Sequence, residues 1–141
     1  MGERIAAPFR IGAIDHIVLR VADLERSLAF YVNDLGCTVE KVQEDIGLVQ
    51  LRAGASLIDL VPLDGKLGRA GGVAPGTEGR NLDHFALDVA PFDEAEIRAY
   101  LQAHAIAAGE AGRRYGAGGY GPSIYLTDPD GNTVELKGPP E

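Results

Sequence analysis

The sequence predicts an α+β protein made of two βαβββ modules that together form a curved, cup-like mixed sheet. Three observations carry this reading. An eight-residue phrase occurs twice: Asp15-His16-Ile17-Val18-Leu19-Arg20-Val21-Ala22 reads against Asp83-His84-Phe85-Ala86-Leu87-Asp88-Val89-Ala90, with five of the eight positions identical. Self-similarity of this kind marks a duplicated structural unit. After each copy the same order of patterns follows, a strand, a capped helix and three further strands, and a glycine-rich stretch separates the two runs.

Taken in order, residues 14–21 are rich in β-branched and apolar residues and read as a strand. Asp23 is a suitable N-cap, Leu24, Leu28, Tyr31 and Leu35 recur at helical spacing, and Gly36 supplies the stop. Residues 38–42, 47–52 and 56–61 read as three strands, the last closed by Pro62. In the second half, residues 85–89 are a strand. Asp93 with Glu96 forms a capping box at the start of a helix that turns Ile97 and Leu101 inward. A short strand is expected at 106–108, another at 123–127, then a β-turn at Asp128-Pro129-Asp130-Gly131 and a closing strand at 133–136. Of 19 glycines, six fall between Gly65 and Gly79 and six between Gly109 and Gly121. The first cluster reads as a linker and the second as a long mobile loop, of the kind that covers sites.

Composition limits the function classes. A chain of 141 residues with 45% hydrophobic content buries a core and is neither disordered nor membrane-embedded. No apolar run approaches the roughly 20 residues of a spanning helix. Met1-Gly2-Glu3-Arg4 leads into no apolar export segment. A net charge of −8 disfavours nucleic acid, whose phosphates want a basic face. It suits a cytoplasmic protein acting on a small molecule. Cys37 is the only cysteine, so no intrachain disulfide forms, and it reads as a buried packing residue.

Four polar residues interrupt otherwise apolar strands: His16, Asp59, His84 and Glu135. On the repeat, His16 corresponds to His84 and Asp59 to Glu135. An unpaired carboxylate buried in such a run costs several kcal/mol, so each needs compensation. Two imidazoles and two carboxylates suit a divalent ion: Zn, Ni, Fe, Co or Mn. For any one of them, a solvent-facing or simply hydrogen-bonded residue is the plainer reading; the repeat-equivalent placement of all four is what favours a metal. Asp15 and Asp83, by period-two alternation, are expected to point to the opposite face as surface residues. His104 is expected to be exposed at a helix end. Arg113 and Arg114 lie in the second glycine cluster, either solvated or within reach of an anionic substrate.

The run His16-x-x-Leu19-Arg20-Val21-x-Asp23-Leu24-x-Arg26-Ser27-x-x-Phe30-Tyr31-x-x-x-Leu35-Gly36 resembles the opening of glyoxalase I, and Tyr125-x-x-Asp128-Pro129-Asp130-Gly131-x-x-x-Glu135 resembles the closing signature of the wider vicinal oxygen chelate superfamily. The resemblance spans 12–138. It implies a single glyoxalase-like domain, with modules at 12–64 and 80–138 and a linker at 65–79. It implies metal ligands at His16, Asp59, His84 and Glu135. Asp59 stands one methylene short of the glutamate of the glyoxalase pattern, which leaves direct coordination, coordination through water, or none. Arg20 matches a position that helps hold a substrate carboxylate in glyoxalase I. Leu63 stands where that family places an asparagine that contacts glutathione, a departure that speaks against that thiol. No histidine occurs between Gly116 and Ser123, where extradiol dioxygenases carry an acid/base.

The resemblance implies a metal-dependent lyase or isomerase that acts on a small vicinal-oxygen substrate through an enediolate-type intermediate. Glu135 is expected to carry the proton, with Asp59 as its symmetric partner. The alternatives are a non-haem iron dioxygenase or an epoxide-opening thiol transferase like the fosfomycin-resistance enzymes, both needing only His16, His84 and Glu135, or a metal-free binding protein of the same fold. A homodimer is expected; the resemblance implies a site that short members often complete across the interface, His16 and Asp59 of one chain meeting His84 and Glu135 of the other, and the sequence leaves open whether the halves pair within or between chains.

Overall fold

The computed structural model describes residues 7–141. The chain runs β1 (His16–Val21), α1 (Leu24–Leu28), β2 (Thr38–Gln43), β3 (Leu48–Ala53), β4 (Ser56–Pro62), α2 (Lys66–Ala70), β5 (His84–Asp88), α3 (Glu94–Ala103), β6 (Ala108–Gly116), β7 (Gly119–Thr127) and β8 (Thr133–Lys137). The βαβββ order thus occurs twice, with α2 inside the first glycine-rich segment.

Each half forms its own four-stranded sheet, ordered β1-β4-β3-β2 and β5-β8-β7-β6. In both, the first strand runs parallel to the last, and the other neighbours are antiparallel. No ladder joins the two sheets among the described residues. One face of each sheet is apolar and closes over a shared core that includes Leu19, Val21, Leu51, Ile58 and Leu60 from the first half and Leu101, Ile124, Leu126, Val134 and Leu136 from the second. By alternation, the face opposite the core carries His16, Val18, Gln50 and Asp59 in the first sheet and His84, Tyr125 and Glu135 in the second.

The Asp23 carboxylate accepts from the Arg26 backbone N–H and starts α1. The helix then widens into π-type turns over Ala29–Asp34, with Leu35 N–H bonded to Phe30 O five residues back. The neighbouring Phe30 and Tyr31 are both buried there. Leu24, Leu28 and Leu35, which recur with Tyr31 at helical spacing, pack at the core's margin.

The second glycine cluster is not a loop. Residues 108–127 are the β6–β7 hairpin, and only Ala117 and Gly118 lie between the strands. Glycine weakens the local strand signal, but cross-strand pairing overrides it. Tyr115 sits opposite Tyr120 with ring centroids 4.9 Å apart, and Arg113 lies opposite Pro122 with its guanidinium over the Tyr120 ring. No lid is present at this position.

The two halves are bolted together by the Asp128-Pro129-Asp130-Gly131 turn. Tyr31 Oη, fully buried, donates to Asp128 Oδ2 at 2.6 Å. Asp130 accepts from Ala22 N–H and from Ser27 Oγ. Gly131 takes the positive φ of 85° that the turn requires. Beside it, the Asn81 side chain bonds both the N–H and the C=O of Arg20 and also reaches Asn132.

Candidate functional site

The first half-site is set by strand register. β1 lies parallel to β4 with Val18 beside Asp59, which brings His16, at the mouth of β1, over the Asp59 carboxylate. His16 Nε2 lies 3.9 Å from Asp59 Oδ2. Asp59 is buried, and its compensation is Gln50, directly opposite on β3, whose Nε2 donates to Oδ1 and Oδ2 at 3.4 and 3.3 Å.

The second half-site repeats this design. β5 lies parallel to β8 with Ala86 beside Glu135, so His84 stands over that carboxylate, Nε2 to Oε1 at 3.5 Å. Tyr125 occupies the place of Gln50, opposite Glu135 on β7, and meets the His84 ring edge-on at 5.7 Å. Glu135 is 7% exposed. The extra methylene of Glu135 carries its carboxylate nearer its histidine than Asp59 comes to His16.

Asp15 and Asp83 are surface residues as expected, their side chains 88% and 84% exposed, but each lies against its histidine and does not point away from it as period-two alternation suggests. Each lies outside the strand that the following histidine begins, so the alternation does not govern it. His16 Nδ1–H donates to Asp15 Oδ2 at 2.8 Å, and His84 Nδ1–H to Asp83 Oδ2 at 2.7 Å. The bond to Asp15, helped by the charge of Asp59, raises the His16 pKa above 6.5. The bond from His84 lowers that of Asp83. Each imidazole is held with Nε2 facing the strand carboxylate, the orientation a metal ligand needs.

Each histidine–carboxylate pair suits one side of a divalent ion. With bonds of about 2.0–2.2 Å, two donors on one ion lie roughly 3–3.5 Å apart. The His84–Glu135 spacing falls in that range, and the His16–Asp59 spacing is slightly wider. The two pairs do not meet within one chain, however. Among the described residues no group of three or more His, Cys, Asp and Glu side chains is close enough to share an ion.

The other sequence-selected residues fall as follows. Arg20 has its guanidinium on the carbonyls of Gly72 and Val73, so it ties down the linker after α2. His104 caps the C-terminus of α3, is exposed and stacks on Tyr100 at 4.1 Å. Cys37 is buried, and burial raises its thiol pKa. Arg113 pairs with Glu141. Arg114 bonds Ser123 and lies over the Tyr125 ring. Gln50 and Tyr125 were missed as partners of the carboxylates. Neither is unusual in a strand, and only the register of β3 and β7 selects them.

Residues 13–136 match the family described as the Glyoxalase/Bleomycin resistance protein/Dioxygenase superfamily. No curated protein matches the chain. Among solved structures, the chain is similar to an integron cassette protein of V. pseudocholerae at 26% identity and TM-score 0.71, covering 94% of this chain and 98% of that one. It is similar to virulence protein STM3117 of Salmonella typhimurium at 25% identity and TM-score 0.70, covering 92% and 98%. A lactoylglutathione lyase of Agrobacterium tumefaciens shares the fold at 21% identity and TM-score 0.61, covering 91% and 94%.

Proposed function

The chain belongs to the Glyoxalase/Bleomycin resistance protein/Dioxygenase superfamily, and from that premise we propose that it is a metal-dependent lyase or isomerase that moves a proton between adjacent carbons of a small vicinal-oxygen substrate. The observation that carries this reading is the duplicated pair of a histidine and a buried strand carboxylate, each histidine oriented by its own aspartate. His16, His84 and Glu135, with Asp59, would hold the ion. A divalent ion held there supplies Lewis acidity toward two neighbouring oxygens.

The residues of the chain do the rest. Glu135, the longer carboxylate and the one without a side-chain amide partner among the described residues, takes the proton from the carbon next to a carbonyl and returns it to the neighbouring carbon. Asp59, held by Gln50, serves as the fixed member of the pair. Asp15 and Asp83 hold the imidazoles in the orientation that turns Nε2 inward.

The separation of the two pairs supports a homodimer. Neither alone offers enough donors, so His16 and Asp59 of one copy are completed by His84 and Glu135 of a second. The half-exposed Val18, on the face of His16, supports a covering partner. Protein purified without chelator is expected to hold about one divalent ion per chain, lost in His84→Ala. Glu135→Gln is expected to lower turnover, and exchange of the substrate α-proton in heavy water, by about 10²–10⁴. Metal content indifferent to both histidines sinks the reading.

One observation favours a second reading. The bond from Gln50, with the wider His16–Asp59 spacing, would suit a site in which Asp59 is not a ligand, leaving the two-histidine, one-carboxylate set of His16, His84 and Glu135. That set suits a non-haem iron dioxygenase or a thiol transferase. Oxygen uptake with a catechol and Fe(II), or thiol addition to an epoxide, with Asp59→Asn as active as the parent, would favour it.

A further inference from the structure

The face of the second sheet that carries His84 and Glu135 also carries two cations, Arg114 and Lys137, that make no ion pair among the described residues. Arg114, on β6, donates from Nη1 to Ser123 Oγ at 2.6 Å and to Ser123 O at 3.3 Å. Its guanidinium lies 4.3 Å from the centroid of the Tyr125 ring. Tyr125 is the residue directly opposite Glu135 and in edge contact with His84. Lys137 follows Glu135 by two residues on β8 and so shares its face. It pairs with Ser123 across the ladder, is 7% exposed, and its ammonium donates to Gly119 O at 3.2 Å, the one hydrogen bond of that group among the described residues.

Neither cation makes an ion pair among the described residues; the arginine pairs there use Arg52, Arg80, Arg98 and Arg113. The nearby C-terminal Glu141 is committed to Arg113. In a chain of net charge −8, a buried ammonium and a half-buried guanidinium with no carboxylate in direct contact among the described residues are costly to keep, Glu141 acting on Lys137 only at longer range. The backbone leaves room for Lys137, although a Cβ on Gly121 would also meet Pro139 O at 2.7 Å. A Cβ on Gly121 would come within 2.9 Å of Lys137 Nζ, and one on Gly116 within 3.2 Å of Lys137 Cε. The glycines of the hairpin clear the bed on which Lys137 lies.

We propose that Arg114, with the ammonium of Lys137 behind it, is the subsite for an anionic group of the substrate, a carboxylate or a phospho group, laid across Tyr125 beside His84 and Glu135. Ser123 fixes one guanidinium nitrogen and the Tyr125 ring fixes its plane, which leaves the remaining N–H fork free for paired oxygens. Lys137 is too buried to make the main contact and supplies positive potential. The inference rests on the reading of His84 and Glu135 as the reacting pair, and it names what holds the far end of the substrate.

The test is titration of the whole protein with inorganic phosphate and, separately, with acetate, with and without added zinc, followed by the backbone and arginine Nε–H signals in nuclear magnetic resonance spectra. Shifts are expected to centre on Arg114, Ser123 and Tyr125. Arg114→Gln is expected to weaken binding of the preferred anion by about tenfold or more. Arg113→Gln, on the opposite face, leaves it unchanged. Tighter phosphate binding assigns a phospho group, and tighter acetate binding a carboxylate. Lys137→Met is expected to weaken binding in the same direction, and Arg114→Gln stays decisive if that variant does not fold. No binding of either anion, or binding that survives Arg114→Gln, overturns the proposal. Because the zinc-free arm needs no metal, a failure to bind metal counts against the reaction proposed above and is read separately.

Discussion

A histidine becomes a good ligand through the atom it does not offer to the metal. His16 and His84 each commit Nδ1–H to the preceding aspartate, and in the proposed site removing that partner would weaken a ligand without touching the ligand set. Asp15→Asn and Asp83→Asn are expected to lower metal affinity by about 10–100-fold while leaving the fold intact, measured by competition with a chromogenic chelator. In the metal-free protein the His16 pKa lies above 6.5 through Asp15 and then Asp59. A histidine raised in this way favours folding below its unfolded value of about 6.5 and loses that contribution as pH rises through the folded value. Asp15→Asn is expected to move the His16 titration, followed by its ring proton shifts, back toward 6.5. The four histidine and carboxylate positions were legible in the sequence because a charge in an apolar strand needs a reason and the repeat supplied one. The aspartates were misread because alternation holds inside a strand, and β1 and β5 begin one residue later.

At the level of elements, the Asp128–Gly131 turn is as much a clamp as a turn. Tyr31, at no exposure, donates to Asp128, which also accepts from the backbone of Asp130 and from Asn132. Tyr31→Phe leaves the fold in place and is expected to cost about 1–3 kcal/mol in chemical denaturation, since it strips one donor from a buried carboxylate. The β6–β7 hairpin offers a second check. Its amide hydrogens in the bonded pairs of the ladder, such as Gly112 with Ser123 and Arg114 with Gly121, are expected to exchange as slowly as those of β8, whereas a mobile loop would exchange at once. The helix caps and the turn could be read locally, from Asp23, from Asp93 with Glu96, and from Pro129 with Gly131. The hairpin could not, because glycine carries no side-chain pattern and its pairing is decided by the strand across from it.

For the whole molecule, the duplication was visible in the sequence but the distance between its halves was not. Alike phrases predict alike modules; they do not say whether two half-sites close on each other or on a second copy. Complementation answers this. A chain with His16→Ala and Asp59→Ala, mixed and refolded with a chain carrying His84→Ala and Glu135→Ala, is expected to recover about a quarter of the parent activity if sites form between copies, because half the dimers are mixed and each holds one intact site. No recovery would place each site within a chain. The separation of the pairs also changes what a chelator does. In the proposed assembly every ion is a rivet between two polypeptides, so metal occupancy and protein concentration obey mass action together. Dilution then sheds metal, metal drives association, and a chelator acts as a dissociating agent long before it acts as an inhibitor.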